Sequence, residues 1–124
     1  MNLTLWILAG VLAFVFAGSG VMKLVVPKDK LITAGQGWAE KVDPNAIRLI
    51  GVAELAGAIG LIVPPLVHIA PVLVPLAAVG LALVMVGAIV THGRRKEYPN
   101  VVVNLVLLAM ALVVAWGRFG QYAF

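Results

Sequence analysis

LTLWILAGVLAFVFAGSGVMKLVV, residues 3–26, carries a single charged side chain, Lys23, in an otherwise apolar run, and its reading decides the fold. A helix rises 1.5 Å per residue, so crossing a hydrocarbon layer about 30 Å thick takes roughly 20 mostly apolar residues. Three further stretches have this character: Ala46 to Val63, Pro71 to Thr91 and Val101 to Trp116. With their flanking punctuation they predict helices over 3–26, 44–63, 71–92 and 100–117. The expectation is an all-α integral membrane protein, a four-transmembrane-helix bundle forming a single membrane domain over residues 1–124.

Composition leads to the same class. Hydrophobic residues make up 63% of the 124 and charged residues 11%, against about half and about a quarter in an average soluble domain. A soluble chain this short must cover a large surface with polar groups, and this one has too few. The net charge of +4 would suggest nucleic acid in a soluble protein. Here the basic residues lie between apolar runs, which points instead to membrane topology and to the lipid bilayer as partner, with no nucleic acid.

The breaks between runs have physical causes. Pro27 follows the first run. Asp43 and Pro44 suit an N-cap and a first helical position, where proline's missing N–H costs nothing. Pro64 and Pro65 are expected to end the second helix. Pro71 can open the third, with Pro75 at a later start or a kink. Tyr98, Pro99 and Asn100 open the fourth. The first run lacks the basic segment that precedes a secretory signal's apolar core, so it reads as a retained helix despite the small residues Ala17, Gly18 and Ser19.

Charge placement orients the bundle. Lys28, Lys30 and Lys41 lie between the first two spans, and Arg94, Arg95 and Lys96 between the last two. The connection around His68 has no Lys or Arg, and the C-terminal tail has only Arg118. The positive-inside rule therefore puts both basic segments in the cytoplasm and both termini outside, an orientation that the family resemblance described below would set in a bacterial inner membrane. The segment 28–42 carries Leu31, Ile32, Trp38 and Val42 among its charges. It is expected either along the inner interface with Trp38 at headgroup depth, or as a solvated loop.

A charge in hydrocarbon costs roughly 2.5 kcal/mol or more, so the polar residues inside the spans need partners, a wet cavity or a route to the interface. These are Ser19, Lys23, Glu54, His92 and Asn104. Lys23, Glu54, His92 and Asn104 fall one per helix in the same half of the bundle, and Ser19 lies one turn from Lys23 on the same face. A single internal cluster is expected, with Lys23 as the partner of Glu54. That pair is either a structural lock on helix register or part of a site for a polar headgroup or proton. For Asn104 the expectation is an interhelical hydrogen bond. His92 reads as an interfacial histidine favoured by a helix C-terminus, and His68 as a solvated loop residue.

Several chemistries are disfavoured. Cysteine is absent, which removes thiolate catalysis, disulfides and Cys-ligated clusters. His68 and His92 lie 24 residues apart, about 36 Å along a straight helix, and cannot share one haem or metal in a subunit. No phosphate loop, HExxH motif or nucleophile triad is present, and no metal site is expected.

GSGVMKL at residues 18–24, GVAELAGAIGLIVPP at 51–65, PLAAVGLALVMVGAIVTHGRRKE at 75–97 and VVNLVLLAMALVVAWGRFG at 102–120 together resemble the DoxX-like family of small bacterial membrane proteins. The resemblance covers nearly the whole chain and implies a four-helix membrane fold. It also implies that Lys23, Glu54, His92 and Asn104 occupy the family's recurrent polar positions. The family name comes from a subunit linked to thiosulfate:quinone oxidoreduction, so the resemblance implies quinone-linked redox partners.

Two functions follow as expectations. The first is an inner-leaflet polar pocket built from Ser19, Lys23, Glu54, His92 and Asn104. It would bind a quinone-like ligand, or the chain would serve as a membrane subunit of a redox complex without stand-alone enzyme activity. The alternative is a non-enzymatic scaffold or assembly factor with a structural Lys23–Glu54 pair. A transporter ranks behind both, because four short helices leave little room for alternating access. Small-residue rows such as Ala56 with Gly60 and Gly80 with Gly87 permit close packing, within the bundle or in a homo-oligomer. Orientation can be tested directly in this cysteine-free chain. A cysteine at Lys30 should be silent to an impermeant thiol reagent on intact cells and one at His68 should react; labelling at position 30 overturns the orientation.

Overall fold

The computed structural model describes residues 2–33 and 42–120. Its elements are helices α1 (Asn2–Val25), α2 (Lys28–Thr33), α3 (Pro44–Leu66), α4 (Leu73–Arg94) and α5 (Tyr98–Phe119). All but α2 are long and apolar enough to cross a membrane. At 22 to 24 residues they measure about 33–36 Å, enough to span hydrocarbon with little tilt. The chain is thus a multi-pass membrane protein.

The helix ends follow the expected punctuation except at the end of α3 and the start of α4. Asp43 caps α3 by accepting the backbone N–H of Asn45 at 2.7 Å, and Pro44 is its first residue. α3 runs on through Pro64 and Pro65 to Leu66, although neither proline can donate to the carbonyl four residues back. Pro75 is no kink. α4 begins at Leu73, so Pro75 lies in the first turn, where a backbone donor would have no helical acceptor. The turns after α3 and α4 are built alike. His68 and Lys96 have φ of 56° and 57°, and the next residue's N–H reaches back to Pro64 and His92 respectively, at 3.0 and 2.9 Å. This is the Schellman closure, made here without glycine.

Residues 28–33 form a helix rather than a loop. Leu31 is buried against Ile47 of α3, with Met22, Val26, Ile32 and Val42 around them. Its apolar side therefore packs on the protein. Trp38 and the glycines beside it lie outside the described residues.

The four long helices form an antiparallel ring in the order α1, α3, α4, α5, closed where α5 meets α1. Gly20 faces Leu55 while Gly51 faces Leu24, Gly57 meets Leu81 while Gly60 meets Ala77, and Gly117 meets Leu5. Higher numbers on one helix thus pair with lower numbers on the next. The core joins all four long helices through Leu12 and Phe16 of α1, Leu61 of α3, Leu81 and Met85 of α4, and Leu107 and Val114 of α5. Within an 18-residue apolar stretch of each span only 22% to 33% of the residues are buried. Phe14, Leu83 and Val103 are among many apolar side chains facing outward, as lipid requires.

In lipid the helices gain little from burying apolar surface, so close backbone packing carries association. The tightest approach is between α1 and α3. A Cβ on Gly20 would sit 2.7 Å from the Gly51 carbonyl oxygen, and one on Gly51 would sit 2.9 Å from that of Gly20. Gly80 and Gly87 have no such neighbour, so the close contacts expected of that row do not occur within the bundle. Gly20→Ala should destabilise the detergent-solubilised protein by about 1–3 kcal/mol through overpacking. Gly18→Ala, with open space around it, should be neutral or slightly stabilising. Thermal midpoints of the two variants check this.

Candidate functional site

The Gly20–Gly51 contact sets the polar cluster beside it. On α1, Ser19 and Lys23 flank Gly20 at helical spacing, and on α3 Glu54 lies three residues beyond Gly51. With the backbones so close, short side chains bridge the helices. Lys23 Nζ lies 2.6 Å from Glu54 Oε1. The Ser19 hydroxyl donates to the same carboxylate, at 3.1 Å to Oε2 and 3.3 Å to Oε1, and accepts from Lys23 Nζ at 2.5 Å. Glu54 is 2% exposed near the middle of α3, and both its oxygens are satisfied. The expected Lys23–Glu54 partnership is present, with Ser19 as its third member.

The other two groups come from the opposite wall. His92 is in the last turn of α4. Its Nδ1 lies 3.0 Å from Oε1 of Glu97, which also accepts from Arg95 Nε at 3.1 Å. The left-handed turn at Lys96 brings Glu97 back over the helix end. The His92 hydrogen bond, with Arg95 alongside, holds the Glu97 carboxyl below the ordinary carboxylate range against the opposing effect of burial. A ring nitrogen fixed this way leaves Nε2 as the group free to meet a ligand.

Asn104 departs from expectation. α5 starts at Tyr98, so Asn104 lies nearly two turns inside, and it is 9% exposed. The anticipated interhelical hydrogen bond does not form from its amide nitrogen: Nδ2 is buried with no partner among the described residues. The carboxylate that could accept from it is already bound to Lys23 and Ser19 across the bundle, with open space between.

That space is a cavity of about 460 Å³, lined by Ser19, Lys23, Glu54, His92 and Asn104 together with apolar side chains that include Phe16, Met85 and Leu107. All five residues picked out from the sequence border it. So does Thr91, whose hydroxyl donates to the Gly87 carbonyl at 2.9 Å; as a helical threonine at a span end it gave no signal. Glu97, which positions His92, was also missed. Five residues along the chain and outside the span, it reads as one more loop charge.

A third polar group lies at the far end. Arg118, expected in a tail, is in the last turn of α5 and 4% exposed. It donates to Asn2 Oδ1 at 2.6 Å and stands 5.8 Å from the centre of the Trp6 ring. With Leu5 packed on Gly117, it fastens α5 to α1 away from the cavity.

Four membrane-crossing helices around a polar-lined cavity near one end define the class: a small multi-span membrane bundle with an internal polar site. The chain belongs to the DoxX-like family, which matches it over residues 7–114. That range takes in every cavity residue named above. No curated protein and no solved structure matches the chain.

Removing one member of the buried pair leaves an uncompensated charge. Glu54→Gln should therefore cost about 3–5 kcal/mol, and adding Lys23→Met should restore part of the loss. Unfolding in detergent measures both. Equal stability of Glu54→Gln and the parent would show that the pair contributes nothing.

Proposed function

We propose that this DoxX-like protein holds the polar head of a quinone-like amphipathic ligand in this cavity, as the membrane subunit of a redox partner and not as a stand-alone enzyme. The observation that carries the reading is Asn104, which borders the open cavity and whose Nδ2 is a buried donor with no acceptor among the described residues. An unmet buried donor costs about 1–3 kcal/mol, which a bound carbonyl oxygen would recover. The cavity volume, about 460 Å³, lies within the roughly 300–1,000 Å³ of small-molecule sites. Its walls combine a few polar groups with apolar side chains, as a ring head with an apolar tail requires. Asn104 would donate to one quinone oxygen and His92 Nε2 would face another polar group of the ring. Lys23, Ser19 and Glu54 would form a charged floor already neutralised within itself. By the distribution of Lys and Arg, the end holding the cavity faces the cytoplasm across the bacterial inner membrane.

One observation favours a second reading. The Lys23–Ser19–Glu54 triad is complete without a ligand, as a purely structural lock in a scaffold or assembly factor would be.

Melting curves separate the two. A ligand that binds only the folded state stabilises it by about 2.7 kcal/mol at 100 times its dissociation constant. Menaquinone should raise the midpoint above the effect of a tail-matched alkane, and the rise should shrink in Asn104→Leu and in His92→Phe. Equal shifts from menaquinone and alkane would make the cavity a lipid contact and leave the scaffold.

A further inference from the structure

A second, smaller cavity lies at the same end of the bundle, on the far side of Lys23. It has a volume of about 130 Å³ and is bordered by Lys23, Lys28, Leu31, Pro44, Ile47 and Arg48. The elements that build it are the end of α1, the short helix α2 and the start of α3. Leu31 and Ile47, 1% and 2% exposed, pack against each other and hold α2 against the bundle. That contact brings Lys28 of α2 to the same opening as Arg48 of α3.

The charged residues that border this cavity are all basic. The ammonium of Lys23 turns away to Glu54 and Ser19, so its stem serves as wall. Among the described residues, neither Lys28 nor Arg48 has a salt-bridge partner. Asp43, the nearest acid along the chain to α3, is committed to capping Asn45. Two cations therefore border one concavity. At about 130 Å³ it is well below the roughly 300 Å³ of a drug-sized site, and its size suits a compact ion.

Depth chooses the ion. The cavity lies where the first span ends and the second begins, the level of lipid headgroups in a chain that crosses the bilayer. Val25 and Leu49, 72% and 73% exposed, flank it with outward apolar surface. A phosphate there would meet a lysine and a guanidinium, the latter able to bind two oxygens at once, while acyl chains ran along the outer faces of α1 and α3.

We propose that this cavity is a phosphate-oxyanion site, filled in the membrane by the phosphodiester of an anionic phospholipid held by Lys28 and Arg48. It stands apart from the larger cavity's ligand and does not depend on it.

The test uses the full chain in detergent, with its thermal midpoint followed during titration with phosphatidylglycerol, phosphatidylcholine and inorganic phosphate. Phosphatidylglycerol should raise the midpoint at concentrations at least tenfold below those at which phosphatidylcholine acts, with the preference weakening as salt rises. Lys28→Gln combined with Arg48→Gln should abolish the preference. Arg94→Gln combined with Lys96→Gln, which removes two exposed charges from the other basic turn, should retain it. Should the double variant fail to fold, the single substitutions carry the same comparison, each expected to reduce the preference. Equal loss in both double variants would reduce the effect to diffuse surface charge and overturn the site, as would equal shifts from the two lipids. A shift from inorganic phosphate matching that from phosphatidylglycerol would support the oxyanion site and overturn the lipid as its source.

Discussion

A carboxylate in the middle of a membrane-spanning helix must be neutralised where it stands, and the arrangement of this protein follows from how Glu54 meets that requirement. Its counter-charge and its hydroxyl donor both come from α1. They reach it because Gly20 and Gly51 let the two backbones touch. One face of the bundle is thereby drawn tight. The polar groups of α4 and α5 lie across from this seam, and one cavity borders both.

The two ends of the α1–α5 seam are correspondingly different. At the end remote from the cavity, Arg118 joins Asn2 and lies over Trp6, and Leu5 fills the notch left by Gly117. At the other end the cavity is bordered by Val15 of α1 and Val103 of α5, both of which also face outward. A bundle fastened at one end can keep an internal volume at the other without coming apart, because the fastening fixes the helix order.

Most of the fold was legible in the sequence because hydropathy over a span is a sum over some twenty residues, insensitive to any one of them. The positions of Ser19, Lys23, Glu54, His92 and Asn104 were legible for a related reason: polar side chains are few in the spans, and helical rise alone gives their depth. What could not be read was pairing that depends on the path of the chain. Glu97 meets His92 only because Lys96 adopts a left-handed conformation that nothing in its identity demands. Arg118 looks like a tail charge until α5 is seen to continue through it to Phe119. The residue type of Asn104 suggests a hydrogen bond, whereas its Nδ2 is buried with no partner among the described residues. The helix at Lys28–Thr33 is too short for periodicity to reveal, and only the burial of Leu31 on Ile47 accounts for it.

The order of packing around the ring also bears on how such a chain could be made. Its most extensive interfaces join consecutive spans, α1 with α3 and α4 with α5. Each pair can therefore assemble from neighbouring stretches of polypeptide, with little chain entropy lost in closing the loop between them. The first pair brings Lys23 to Glu54, so the most costly charge to place in lipid is neutralised as soon as two helices have met. During biosynthesis the bundle could be laid down as two successive helical hairpins. The seam between α1 and α5, at opposite ends of the chain, would then be the last to form.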